Sequence, residues 1–298
     1  MNLDCFKKLS KDDFKKYNDC TKGLYNNSES SFATIYMWQH YANVKYYIDD
    51  GVVYSIFNNK NGELSSFMPY GLNRSLEKTV DKLIDLYHQN NSRLVLNLCT
   101  EDFVDFLTKT KKYNISVYEN RNSFDYVYLT NELIELKGKR FHGKKNHFNS
   151  FTKKYSYEYL KYNSSLKNDC IKFCSDILKI HYGDNIRGYE TELFSISKTF
   201  ENMHYFDLKC GIIVLNEKII ALSVGEKLND DYALIHIEKA DYNYREAYSV
   251  INRLFLMNEF SDTIYVNREE DMGIEGLRKA KMSYNPCHLI KKYTVEFN

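Results

Sequence analysis

The sequence predicts a mixed α/β protein (α+β class) of two domains, residues 1–130 and 131–298, each with a mixed, largely antiparallel sheet flanked by helices. Three observations support this class. A chain of 298 residues suits two domains of ordinary size. Apolar residues repeat with the period of helices in some segments and of strands in others. In the C-terminal half, three consecutive strand patterns precede a strand–helix–strand unit.

The N-terminal half alternates helix and strand signals. An aromatic-rich stretch after Ser31 predicts a helix, and the pair Asp50-Gly51 suits the tight turn of a hairpin. Ser75 is expected to cap a helix that has one apolar face. The other segments predicted here are strands 44–48, 52–57, 93–99 and 124–129, and a short helix 100–108. The domain boundary is expected near Thr130, where helical periodicity resumes.

The C-terminal half predicts a meander followed by a crossover. Its predicted elements are helices 164–181, 189–203, 244–260 and 274–282, and strands 206–215, 218–228, 231–240, 262–266 and 287–297. A strand–helix–strand connection is normally a right-handed parallel crossover, so strands 231–240 and 262–266 should be parallel. Their carboxyl ends then lie at the same edge of the sheet, where open α/β sheets bind ligands.

Charged residues lie at the carboxyl ends of both of these strands. Alternation along the first strand puts His236 and Glu238 on one face and Lys239 on the other. In the functional interpretation, Glu238 or Asp241 is the base for an attacking amine or hydroxyl. In the structural interpretation, the acids that follow the second strand only stabilise the start of the next helix.

The second strand runs directly into a polar segment, Asn267-Arg268-Glu269-Glu270-Asp271. Arg268 is the predicted clamp for a phosphate or carboxylate. The binding residues expected at this edge are Lys239, Asn267, Arg268 and Glu269. No metal ion is expected there, because adjacent acids on an extended segment point in different directions.

A second candidate is the basic segment 137–154, which has seven Lys or Arg residues, two histidines and no acid. On a helix, Phe141, Phe148, Phe151 and Tyr155 share one face and Lys144 falls inside it, unless Gly143 breaks the helix. A lysine in an apolar stripe either snorkels or has an anionic partner. The expected phosphate-binding residues are Arg140, Lys144, Lys145 and Asn146. The partner would carry phosphate, as tRNA, a lipid headgroup or a nucleotide does, and a solvated helix face is the alternative.

These two segments, together with residues 277–286, resemble the soluble catalytic domain of lysyl-phosphatidylglycerol synthases and its stand-alone relatives. The resemblance implies two acyltransferase-like (GNAT-type) domains in tandem. In those relatives, the double domain transfers an aminoacyl group from tRNA to a hydroxyl of phosphatidylglycerol. Within the third segment, Arg278 and Lys281 can share a helix face as further binding residues. Tyr284 follows the helix, where GNAT enzymes often have a tyrosine acid.

The stretch between the two parallel strands lacks a glycine pattern that coenzyme A-dependent GNAT enzymes use. Their backbone amides at a helix start hold the pyrophosphate. Residues 241–248 contain no glycine, and Glu246 puts negative charge at that position. The pattern therefore disfavours an ordinary acetyl-CoA enzyme.

Composition limits the alternatives. The net charge of +1 excludes a global field that attracts nucleic acid or anionic lipid, so any such binding needs a local patch. Seven cysteines without a C-x-x-C pair indicate reduced thiols and a cytoplasmic protein. The chain start lacks the apolar region of a signal peptide, and no apolar run approaches the roughly 20 residues of a membrane span. A soluble protein is expected.

The leading hypothesis is an acyl- or aminoacyltransferase in which an amine or hydroxyl attacks the donor directly. No cofactor is assigned beyond the donor, which would be aminoacyl-tRNA or acyl-CoA. The sequence has no pattern of a nucleophile paired with a base, so a covalent intermediate is not expected. Two alternatives stay open: a non-catalytic GNAT-fold module that binds a phosphate-bearing ligand, and a conventional acyl-CoA N-acyltransferase.

Overall fold

A computed structural model of the chain describes residues 1–41, 43–71 and 75–298. Within these residues the helices are α1 Phe14–Thr21, α2 Phe32–Trp38, α3 Leu76–Gln89, α4 Glu101–Thr110, α5 Thr130–Glu135, α6 His142–Lys154, α7 Lys167–Tyr182, α8 Ile186–Asn202, α9 Ala247–Glu259 and α10 Glu275–Met282. The strands are β1 Lys45–Asp49, β2 Val52–Asn58, β3 Leu64–Phe67, β4 Tyr70–Gly71, β5 Val95–Thr100, β6 Ile115–Glu119, β7 Asp125–Leu129, β8 Glu158–Lys161, β9 Lys209–Leu215, β10 Lys218–Lys227, β11 Tyr232–Ala240, β12 Tyr265–Asn267, β13 His288–Ile290 and β14 Lys292–Phe297.

The chain forms two compact units. The first comprises Met1–Asp125, Glu270–Glu275 and Leu289–Asn298, and the second comprises Tyr126–Glu269 and Gly276–His288. The first unit thus takes up two short segments from the C-terminal part of the sequence. The predicted limits of two GNAT-like domains, 1–130 and 131–298, remain a prediction.

The first unit is built on a sheet with the order β1-β2-β3-β5-β14-β6, and β4 also pairs with β2. The predicted hairpin turn is confirmed, because Asp50 and Gly51 both have positive φ, as a tight two-residue turn requires. Ser75 accepts a hydrogen bond from the Lys78 amide and caps α3, also as predicted. The α3 face that carries Leu83 is buried.

The end of the chain corrects the sequence interpretation. Residues 287–297 were expected to form one strand that closes the C-terminal half. They instead form β13 and β14, and β14 lies between β5 and β6 in the first sheet. β-branched and aromatic residues indicate a strand, but the partner of a strand depends on long-range packing.

The second sheet has the order β13-β7-β12-β11-β10-β9-β8. The meander is confirmed, since β9, β10 and β11 pair antiparallel in sequence order. The parallel crossover is confirmed as well: Tyr232 pairs with Tyr265, and Leu234 with Asn267. The crossover helix α9 is mostly apolar and buries Val250 and Ile251 completely.

The two parallel strands separate after a short paired stretch. Pairing of β11 with β12 runs from Tyr232 to Leu234, whereas β11 continues to Ala240. The chain after β12 stays with β7 instead, and the Arg268 amide donates to the Tyr126 carbonyl at 2.9 Å. The sheet is therefore split where the predicted charged residues lie.

The longest helices of the described residues, α7 and α8, have 16 and 17 residues. Across the part of the chain that the structure describes, no helix combines the length and apolar character needed to cross a bilayer.

Candidate active site

A buried ion pair bridges the split between β11 and the segment after β12. Arg268 Nη2 donates to Glu238 Oε1 at 2.8 Å, and these side chains are 11% and 12% exposed. Asn252 on α9 donates to the other carboxylate oxygen, Glu238 Oε2, at 3.2 Å. Among the described residues, the buried Nη1 of Arg268 has no hydrogen-bond partner. A buried guanidinium donor without an acceptor is costly, which makes Arg268 a candidate for binding an anionic group.

Lys144 adds a second cation to this site. Its Nζ lies 3.8 Å from the centre of the Tyr284 ring, and the Arg268 guanidinium carbon lies 4.8 Å from the same centre. Burial and, to a smaller extent, the charge of Arg268 lower the pKa of Lys144 to about 8, with Glu238 opposing the shift. An anion beside both cations would relieve their repulsion. The helix is not broken at Gly143, so Lys144 lies on the predicted face of α6.

Tyr284 is the third member of the group and is 6% exposed. Its hydroxyl lies 3.4 Å from Ser249 Oγ on α9. Burial raises the pKa of Tyr284, while the positive charge of Arg268 opposes the shift. The phenol therefore keeps its proton at neutral pH and can donate it.

Three of the predicted binding residues hold the turn that carries Arg268. The side chain of Asn267 is buried, and its Oδ1 accepts from the Glu269 amide at 2.8 Å. Lys281 Nζ donates to the main-chain carbonyls of Arg268 and Glu269. Glu269 itself has a φ of 56°, a left-handed conformation that few non-glycine residues adopt. These contacts fix the direction in which Arg268 leaves the main chain.

Glu269 also belongs to a charged triad around a buried histidine. Its Oε1 lies 3.2 Å from His236 Nδ1, and Glu226 Oε1 lies 3.0 Å from His236 Nε2. The His236 side chain is fully buried. Burial lowers the pKa of His236, but the hydrogen bonds and charges of the two glutamates outweigh burial and raise it to about 9.

Other predicted residues have different surroundings. Lys239 forms a 2.6 Å ion pair with Glu192 of α8, on the opposite face of β11 from Glu238. Asp241 Oδ1 accepts from the Asn243 amide and caps the loop after β11. The remaining candidates are partly or fully exposed: Arg140, which pairs with Glu132, and Lys145, Asn146 and Arg278. Their predicted binding roles stay predictions.

The sequence reasoning missed several residues of the site. Ser249 contacts Tyr284, and Asn252 contacts Glu238. Both residues lie on α9, three residues apart on one helix face. Polar residues on the buried face of an apolar helix were a signal that could have identified them. His236 was placed on the correct face of β11, but its two carboxylate partners were not identified, because Glu226 comes from β10.

Main-chain amides in the loop between β11 and α9, and at the start of α9, donate hydrogen bonds within the same segment. The amides of Asn243 and Tyr244 donate to Asp241, the amide of Ala247 donates to Tyr244, and that of Ser249 donates to Glu246. A coenzyme A pyrophosphate would need such amides to be free. The amides of Asn243, Tyr244, Ala247 and Ser249 already have acceptors within the chain.

The first unit has its own buried charge cluster. Oxygens of Glu29, Asp125 and Glu270 lie within 4.8 Å of one another. Lys292 Nζ lies 2.7 Å from Asp125 Oδ1 and also bonds Glu29 and Ser28. The ammonium group supplies positive charge that this cluster needs, so the cluster is a structural ion network.

Comparison with known proteins identifies the family. The family model described as phosphatidylglycerol lysyltransferase, C-terminal, matches residues 23–296. The chain belongs to this family, as the resemblance of its motifs implied. An uncharacterised protein of Mycoplasmoides gallisepticum is 28% identical over 187 residues, which are 62% of this chain and 59% of that protein. The match thus spans less than two thirds of this relative's length.

Solved structures share the fold of this chain. A conserved protein of unknown function from Bacteroides thetaiotaomicron superposes with a TM-score of 0.91 at 29% identity, covering 98% of this chain and 99% of that one. The L-PGS structure from Bacillus licheniformis has a TM-score of 0.68 at 11% identity, with coverages of 97% and 92%. The predicted class, tandem GNAT-like domains with mixed sheets flanked by helices, is confirmed.

Proposed function

We propose that this protein is an acyl- or aminoacyltransferase whose site is formed by Lys144, Glu238, Arg268 and Tyr284. The observation that carries the proposal is the buried Arg268 Nη1 without a partner among the described residues. It lies in a group that also holds a second cation, a carboxylate and a protonated phenol. A phosphate or carboxylate of a substrate, or the oxyanion formed during transfer, would complete this arrangement.

The proposed reaction is direct attack on an activated ester or thioester. The acceptor oxygen or nitrogen forms a bond to the carbonyl carbon of the donor, and the bond to the leaving group breaks. Glu238 takes the proton of the acceptor, because each of its oxygens keeps a lone pair beside the Arg268 and Asn252 bonds. Tyr284 returns a proton to the leaving group. Asp241 is the second candidate for the base.

An aminoacyl-tRNA is the favoured donor. The family model, the basic segment 137–154 and the internally bonded amides of the β11–α9 loop support it. Several lysines of α6 are exposed and could contact phosphates, among them Lys145, Lys153 and Lys154. The acceptor is a hydroxyl or amine, and a lipid headgroup is one candidate. An acyl-CoA donor is the alternative.

The first test compares binding of aminoacyl-tRNA, uncharged tRNA and acetyl-CoA at low and moderate salt. Tighter binding of charged than of uncharged tRNA supports aminoacyl transfer. Micromolar binding of acetyl-CoA would instead identify a conventional acyltransferase. Binding of none of them, together with no transfer to a hydroxyl or amine acceptor, would contradict the proposal.

The second test uses Glu238→Gln, which preserves the side-chain shape. If Glu238 is the base, the variant should bind the donor almost as wild type but lose about 10²–10⁴-fold in turnover. A non-catalytic module predicts a change in affinity or no change at all. Glu259→Gln is a matched control, because Glu259 forms an ion pair with Lys161 elsewhere in the same unit.

A further inference from the structure

His236 lies at an irregular point of the second sheet. Val224 of β10 pairs with Ile237 of β11, and Gly225 pairs with Ile235, so His236 is the extra residue of a β-bulge. The bulge needs glycine at 225, where a Cβ would lie 2.5 Å from the Leu234 carbonyl oxygen. Bulges redirect side chains and often occur next to active sites.

The redirected ring carries a positive charge. Each ring nitrogen faces a carboxylate, Nδ1 that of Glu269 and Nε2 that of Glu226. An imidazole can donate from both nitrogens only when it is protonated. The raised pKa of His236, about 9, agrees with this state and has its origin in the same two carboxylates.

The triad is linked directly to the proposed site. His236 and Glu238 are two residues apart on β11, and Glu269 and Arg268 are neighbours after β12. Two side-chain ion pairs, His236–Glu269 and Glu238–Arg268, therefore bridge the split where the backbone pairing of β11 and β12 has ended. The His236–Glu269 pair holds Glu269, and the left-handed backbone of Glu269 sets the direction of the neighbouring Arg268 in the second pair.

We propose that His236 is a positioning residue: by holding Glu269, it fixes the turn that presents Arg268 Nη1 to an anionic group of the substrate. The inference rests on the proposed function, because it assumes an anion at Arg268. It differs from a general stabilising role in one respect. The effect of His236 on ligand binding must pass through Arg268.

A double-mutant cycle tests this with inorganic pyrophosphate as the probe, measured by calorimetry at pH 7. His236→Gln keeps a donor for one carboxylate but cannot carry charge. We expect it to weaken pyrophosphate binding about tenfold, as small misplacements of a binding group do. In an Arg268→Met background, the same change should have no further effect. Glu259→Gln, which breaks an ion pair elsewhere in the unit, should bind as wild type.

The proposal would be overturned if His236→Gln weakened pyrophosphate binding equally in the presence and absence of Arg268. It would also be overturned if His236→Gln bound pyrophosphate with the affinity of wild type. If that variant does not fold, Glu226→Gln replaces it. This variant leaves the Glu269 contact and removes one of the two carboxylate charges that face the ring. A smaller loss of pyrophosphate affinity is expected, again only when Arg268 is present. Failure of wild type to bind pyrophosphate would overturn the anion subsite and this inference together. Binding with the expected cycle but no acyl transfer would contradict only the proposed reaction.

Discussion

The ammonium group of Lys144 and the guanidinium group of Arg268 pack on the same aromatic ring, that of Tyr284, at 3.8 and 4.8 Å from its centre. The ring attracts both cations, and Glu238 balances one of their charges. Among the described residues of this group, the other positive charge has no balancing carboxylate. This imbalance, in a buried place at the split of a sheet, is the strongest physical reason to regard the site as functional.

Anion binding should depend on the charge of Lys144. Its pKa of about 8 means that the side chain loses its proton as the pH rises from 7 to 9. We therefore expect pyrophosphate affinity of the wild-type protein to fall over this interval, and bound anion to raise the pKa of Lys144. Calorimetric titrations at several pH values measure both effects.

The variant Lys144→Met should bind pyrophosphate more weakly at pH 7, by about tenfold or more, because a charge-assisted hydrogen bond is worth roughly 1.5–3 kcal/mol. Its affinity should change little between pH 7 and 8. The control is Lys198→Met, which removes a half-buried lysine of α8 that pairs with Glu201. A wild-type fall in affinity that persists unchanged in Lys144→Met would show that another group titrates.

The charge on His236 should contribute to stability. Its pKa is raised from 6.5 to about 9 on folding, so the folded state binds its proton more tightly than the unfolded chain. The contribution is complete below pH 6.5 and is lost as the pH rises through 9. It amounts to about 3 kcal/mol at most. Denaturant unfolding at pH 6 to 9.5 should show this decline in wild type and a flatter profile in His236→Gln; parallel profiles would contradict it.

Local patterns predicted most of the second unit. The meander and the crossover follow from strand alternation, short turns and the handedness of parallel connections, whereas the split between β11 and β12 was not predicted. The same reasoning brought Glu238 and Arg268 together, because Glu238 lies near the carboxyl end of the first parallel strand and Arg268 follows the second. It also placed Lys144 among the apolar residues of its helix.

The rest depended on partners that are distant in sequence. β14 pairs with β5 and β6 across the first unit, and nothing in its composition distinguishes these partners from others. Likewise, Glu226 and His236 meet through a bulge, and a bulge changes the register without a clear signal in the sequence. A side-chain network of this kind can be inferred only when the register of the paired strands is known.

Lys292 should be essential for the stability of the first unit. It is fully buried and lies 2.7 Å from the carboxylate of Asp125, which is also fully buried. Lys292→Met leaves Asp125 and Glu29 without their cation, and removing one partner of a buried pair costs about 3–5 kcal/mol. Unfolding by urea measures the loss. Lys112→Met is the control, because its ion pair with Asp81 is exposed and should contribute little.

The loss in Lys292→Met should also grow with pH. Burial raises the pKa of Glu29, and Lys292 opposes that shift, so its removal raises the pKa further. A carboxyl whose pKa is raised on folding stabilises the protein below its unfolded pKa of 4.5 and ceases to do so as the pH rises through the folded pKa. The variant should therefore be closer to wild type at pH 5 than at pH 8. An equal deficit at both values would mean that the carboxylates find another cation.

The hydroxyl of Tyr284 can be separated from its ring. Tyr284→Phe keeps the aromatic surface on which Lys144 and Arg268 pack, so pyrophosphate affinity should stay within about threefold of wild type, since cation–π energies depend mainly on the ring. Transfer should fall by about 10²–10⁴-fold if the phenol donates the proton to the leaving group. Single-turnover transfer rates measure this step. Unchanged rates would leave Tyr284 as a platform for the two cations, and the proton would then have to come from Lys144, the remaining protonated donor of the group that can release a proton near neutral pH.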